Sequence, residues 1–241
     1  RRCVVSDQKT GGLVPLDLTR PNAARVYSYL LGGKDHYPPD REMGDRLMEI
    51  LPDLRVRAVE NRRFLGRAVR FMAEEMGIRQ FLDLGSGLPA DGNVHEVARQ
   101  VDPAVRVVYV DHDPVAAAHG KAMLRPGKAA VTAMVCADLR DVGTVLAEAR
   151  SVLDFSRPVG LTMVAVLHFV ADPAPVAAAY LSRLAPGSCV AISHACHEGM
   201  DEEQVRRGVE FYRNTPTPLY PRTVAEIEAL FAGSEIGRAH V

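Results

Sequence analysis

The chain contains no tryptophan, and its four cysteines, Cys3, Cys136, Cys189 and Cys196, are scattered without pairs among 241 residues. That spacing excludes a zinc ribbon or a disulfide scaffold, no metal site is expected, and a reducing, cytoplasmic setting is the default. Excess charge is also missing. The formal net charge is −1, so binding that rests on phosphate neutralisation, as with nucleic acid, is not expected. The longest near-continuous apolar run, GLTMVAVLHFVA, is too short to cross a bilayer and carries a histidine, so no membrane partner is expected. What remains is an ordinary globular composition, 47% apolar and 24% charged, in a length suited to one large domain with a cap.

Residues 1–20 show no sustained periodicity and read as a mobile leader. Residues 21–76 read as a helical N-terminal cap or lid, with RPNAARVYSYLLGG, Arg41–Leu51 and Arg55–Glu75 in helical register around the loop KDHYPPDRE. From residue 77 to 233 the rhythm changes. Short apolar runs (RQFLDL, VRVVYVD, AVTAMVCAD, VGLTMVAVLH, SCVAISHA) alternate with helical stretches, which argues for an α/β, Rossmann-like open and mostly parallel sheet with helices on both faces. Residues 234–241 read as a non-native tail, because EIGRAHV back-translates into a common sequencing-adapter sequence.

Ligands of such sheets sit at the carboxyl ends of the strands. Those ends carry Asp83-Leu-Gly85-Ser86-Gly87, Asp111-His112-Asp113, Asp138-Leu139 and Leu167-His168. No Gly-Lys-Ser/Thr follows a glycine loop, which excludes a P-loop. Gly85-Ser-Gly87-Leu-Pro-Ala90, with Asp111 beyond it, also satisfies the dinucleotide pattern. Charge argues otherwise. Asp83 and Asp91 flank the turn and would repel a pyrophosphate, whereas they suit a ligand bearing an ammonium and a sulfonium, as S-adenosylmethionine does. Asp111 is then placed to accept from ribose hydroxyls and Asp138 from the adenine amino group, both partners being donors.

The ordered set Asp83, Gly85, Gly87, Asp111, Asp138 resembles the signature of class I S-adenosylmethionine-dependent methyltransferases. RVYSYLLGGKDHY, VENRRFLGRAVRFM, VVYVDHDPV, ADLRD, LHFVADP and PRTVAEIEALFAG are similar to a bacterial subgroup labelled S-adenosyl methyltransferase. The resemblance implies that the chain lacks the last two strands of such folds. It also implies that Ser86, His112 and Leu139 join the cofactor site, and that the loop Gly32–Tyr37, with Gly33, forms a lid. Arg62, beside Asn61, is a candidate for the cofactor's carboxylate. His168 is a candidate general base, its ordinary pKa lying near working pH, although the histidine of LHFVADP-like stretches often only shapes the pocket. Tyr212, Arg213 and Arg222 read equally as acceptor-pocket lining or as a surface loop.

No Asn/Asp-Pro-Pro-aromatic motif for exocyclic base amines is present, which favours a small-molecule methyl acceptor. Two alternatives stay open: a nicotinamide-dependent oxidoreductase or epimerase, and a non-catalytic S-adenosylmethionine-binding protein.

Overall fold

The structure, a computed structural model, describes residues 4–6, 13–15, 18–123, 132–213, 215 and 217–236. Most of the leader and residues 237–241 of the tail lie outside the described residues. Two short strands, β1 (Val4–Ser6) and β2 (Leu13–Pro15), pair antiparallel. Three helices follow: α1 (Ala23–Leu30), α2 (Pro38–Ile50) and α3 (Leu54–Glu74). The rest alternates as β3 (Gln80–Leu84), α4 (Val94–Arg99), β4 (Arg106–Asp111), α5 (Pro114–Met123), β5 (Thr132–Cys136), α6 (Val142–Ala149), β6 (Gly160–Val164), α7 (Ala174–Leu181) and β7 (Cys189–Ser193). Helices α8 (Glu202–Arg213) and α9 (Val224–Glu228) close the described chain.

The five strand-like runs form one parallel sheet in the order β5-β4-β3-β6-β7, as expected for a Rossmann-like fold. Among the described residues no strand lies beyond β7. The chain walks outward from β3 to β5 and then restarts at β6 on the other side of β3, so the switch point lies at the carboxyl end of β3. Strand alternation sorts the core into two layers. Leu82, Leu84, Val108, Val110, Leu161 and Met163 face α6 and α7, while Phe81, Val107 and Tyr109 face α3 and α4.

Helix α3 serves both parts of the molecule. Its amino-terminal half gives Ala58 to a cap cluster with Val26, Leu30, Met43 and Leu47, and its later turns press Leu65, Val69, Met72 and Ala73 onto the sheet. The cap is pinned by a buried ion pair. Arg25 Nε meets Asp40 Oδ2 at 2.8 Å, and the same carboxylate accepts from the Asn22 and Tyr37 amides. Helix α2 starts earlier than its apolar rhythm predicts, because Pro38 and Pro39 suit a first turn and Asp40 closes a capping box.

Candidate functional site

Above the carboxyl ends of β3, β4, β5 and β6, and under α1, α3 and α8, lies a cavity of about 800 Å³. Asp83, Gly85, Ser86, Gly87, Asp111, His112, Asp138, Leu139, Arg62 and His168 all contribute to its wall. Gly33 does not. Its amide donates to the Ser28 carbonyl in the turn that ends α1, and its own carbonyl faces the His36 ring, so this glycine closes a helix outside the cavity.

Asp83 shares the sheet face of Phe81, and register sets Thr162 of β6 directly beside it. The Thr162 hydroxyl donates to Asp83 Oδ1 at 2.6 Å. Burial pushes the Asp83 carboxyl up from 3.8 to about 6, against the lowering effects of that hydrogen bond and of Arg62. Near pH 6 this acid is therefore about half neutralised.

The glycine loop has used its donors. Gly85 and Ser86 amides both donate to the Val110 carbonyl, at 2.8 and 3.0 Å, and the Gly87 amide donates to Asp111 Oδ2 at 2.8 Å. Gly85 sits at φ +70°, and a Cβ there would lie 2.2 Å from Val166 Cγ2, so only glycine fits between loop and β6 exit. The start of α4 is closed as well: Glu96 accepts from the Asn93 amide at 2.9 Å in a capping box. A phosphate needs free amides at a helix start, and this loop offers none at Gly85, Ser86 or Gly87.

Asp111 is buried, and its other oxygen accepts from the Asp113 amide at 2.9 Å. Burial raises its pKa, opposed by these two amide bonds. A carboxylate offers about four lone-pair positions. Two are therefore taken and two remain. His112 is mostly exposed at the rim, with Nδ1 3.7 Å from Asp111. Asp138 is forked by Arg140 (Nε at 3.0 Å to each oxygen), which holds its pKa low. Asp141, not Asp138, caps α6 by accepting from the Thr144 amide. Leu139 is buried, and its carbonyl accepts from the Tyr180 hydroxyl.

Arg62 reaches from α3 to the loop after Gly87. Nε donates to the Asp91 carbonyl at 3.1 Å, and Nη2 donates to the Ala90 carbonyl and to Asn93 Oδ1. Beside it, Asn61 joins a relay unmarked by any sequence motif. Its amide donates to the Tyr27 hydroxyl at 2.8 Å, and its oxygen accepts from Ser193 Oγ at 2.5 Å. Ser193 in turn accepts from the Ala165 amide at 2.9 Å, where the backbone enters the left-handed region at φ +54°. This network ties α1, α3, β7 and the exit of β6 into one floor.

His168 occupies a 3₁₀ turn after β6. Dense surroundings, with His194 and Arg222 adding positive charge nearby, push its pKa down to about 3. Its Nδ1 accepts from the Ala195 amide at 3.3 Å, and its ring packs edge-on to Phe169. Such a ring stays neutral at working pH and is a poor proton acceptor. His194 is committed too, with Nδ1 2.9 Å from the Ala195 carbonyl and Nε2 3.0 Å from Arg222 Nη1. Tyr212 lines the cavity, whereas Arg213 faces Glu210 on the outer side of α8. Arg222 works as a clamp on the Val170 and Ala171 carbonyls.

The profile of the family described as S-adenosyl methyltransferase matches residues 10–239. Among solved structures, the chain is similar to a candidate methyltransferase from Thermobifida fusca YX. The two are 42% identical over 90% of this chain and 82% of that one, with a TM-score of 0.84. It is also similar to a DUF574 family protein from Streptomyces avermitilis MA-4680, 40% identical over 90% of this chain and 84% of that one, with a TM-score of 0.85. No curated protein matches the chain.

Proposed function

Because the chain belongs to the S-adenosyl methyltransferase family and uses S-adenosylmethionine as methyl donor, we propose that it methylates a small-molecule acceptor held in this same cavity. The observation that carries the reading is the electrostatics of the strand ends. A buried carboxyl at Asp83 stands beside a loop whose Gly85, Ser86 and Gly87 amides are all engaged by the protein. That combination favours a cationic ligand and disfavours a diphosphate, so a nicotinamide enzyme finds no support here or in the family match.

Asp83 would pair with the donor's ammonium and Arg62 with its carboxylate. Asp111 would accept from the ribose hydroxyls with its remaining lone pairs. His112 would cover the adenine, with Ser86, Asp138 and Leu139 along its edges. When bound, the donor supplies an electrophilic methyl group: an acceptor lone pair bonds to that carbon as the carbon–sulfur bond breaks, sulfur keeps the electron pair as a thioether, and any acceptor proton leaves to water. His168 shapes the pocket wall in this reading instead of acting as a base. Positioning and exclusion of water by the cap then supply most of the acceleration. Among the described residues no helix is long and apolar enough to cross a membrane. A cytoplasmic setting remains our reading from the scattered spacing of the cysteines in the sequence.

Calorimetric titration with S-adenosylhomocysteine, NADH and NADPH tests the donor. Heat only from the nicotinamides rejects the proposal. Labelled-methyl transfer into fractionated metabolite extract tests catalysis, and tight donor binding with no labelled product in any fraction favours a non-catalytic binder.

A further inference from the structure

The cavity is larger than its acidic strand-end half, and the remainder has a different chemistry. It is walled by Leu30, Leu47, Leu54, Val205 and Leu219, with the Tyr212 and Phe169 rings 5.9 Å apart along one side. Charged groups on this side are already paired near the rim: Arg57 with Asp53, and Glu60 with Arg63. Gly208 of α8 is buried and on the cavity wall, yet a Cβ built there meets nothing within 4 Å. Glycine inside a helix costs about 1 kcal/mol relative to alanine, and no neighbour here demands it. Its consequence is open space between α8 and the cap.

Tyr212 lines that space, and burial pushes its pKa up to about 12, so it stays a neutral phenol there. Apolar walls and flanking rings reward a flat, uncharged guest, and a charged one would lose hydration without gaining a partner.

Resting on the methyl-transfer reading, we propose that this second chamber takes an uncharged, planar aromatic acceptor, with Gly208 setting its depth and the Tyr212 hydroxyl engaging the acceptor's one polar edge. The same walls disfavour phosphorylated and other charged compounds.

The test uses the full chain and an uncharged fluorescent probe, N-phenylnaphthylamine. Its emission should rise and shift to the blue on binding, and saturating S-adenosylhomocysteine should not displace it. Gly208→Phe, which fills the chamber, should weaken the probe at least about tenfold while S-adenosylhomocysteine affinity stays within about twofold. Leu219→Trp, on the loop wall, repeats the measurement from the opposite side should the helix variant fail to fold. Unchanged probe affinity in a variant that still binds S-adenosylhomocysteine overturns the chamber. Labelled-methyl transfer that prefers nucleosides, sugars or phosphorylated compounds over neutral phenols and arylamines overturns the acceptor class. Probe binding that is lost in the variants, with no S-adenosylhomocysteine binding to any form, supports the chamber and refutes the donor reading instead.

Discussion

Replacing Asp83 with asparagine should make the ligand-free protein more stable and the donor complex weaker. Burial moves the carboxyl from 3.8 to about 6. Each pKa unit corresponds to 1.36 kcal/mol, so ionised Asp83 destabilises the empty fold by about 3 kcal/mol. Asparagine keeps the shape and still accepts from Thr162 but carries no charge. For a chain of this size the gain is a Tm increase of about 5–10 °C at about pH 8, an upper range because water entering the cavity relaxes the penalty.

The sign fixes the pH window. An acid whose folded pKa is raised keeps its proton longer in the native state than in the unfolded chain. The penalty is complete above about pH 6, shrinks as pH falls from there to 3.8, and is absent below. Scanning calorimetry of both proteins at about pH 8 and about pH 4 should show a Tm gap only at the higher pH. Donor binding should move oppositely. Loss of a buried charge partner costs about 3 kcal/mol, or at least a hundredfold in S-adenosylhomocysteine affinity. A variant no more stable at about pH 8, or one that binds the ligand as tightly as the parent, would refute the electrostatic reasoning.

Thr162→Val removes the hydroxyl that steadies the Asp83 carboxylate. Its pKa should rise further, so the pH at which donor affinity begins to fall should move upward, as read by calorimetry across about pH 5–8. Gly85→Ala forces a side chain into Val166 at a left-handed backbone position. A loss of more than about 3 kcal/mol in denaturant unfolding is expected, and a small loss would show that the loop can shift. His168→Asn should lower kcat less than about tenfold and leave the pH–rate profile unchanged, whereas a true general base would cost about a hundredfold or more.

The strand ends were legible because parallel strands buried on both faces write continuous apolar runs, and an acid that interrupts one marks its exit. Asp83, Asp111 and Asp138 were found that way, and all three line one cavity. Arg62 was nominated by its neighbourhood, and the structure shows it bound to the loop after Gly87. Gly33 ends α1 outside the cavity wall, and a glycine pair that ends a helix looks the same in sequence as one that borders a ligand. Helix α8 went unread. Its helical pattern is strongly amphipathic, but the apolar face is short and interrupted by Gly208, and nothing in the sequence marks that face as a wall of the acceptor chamber. Thr162 did leave a signal, a single hydroxyl inside an apolar strand that must find a buried partner. The Tyr27–Asn61–Ser193 relay left none, since its members are far apart in the chain and meet only through packing.

The spent amides of the glycine turn bear on how this crevice could be repurposed. Swapping Asp83 and Asp91 for neutral or basic residues would remove the repulsion without creating a nucleotide site, since the peptide groups that would grip phosphate already hold Val110 and Asp111. Conversion would require rethreading the main chain from Gly85 to Gly87, a change that no set of point substitutions supplies while the β4 exit keeps its present path.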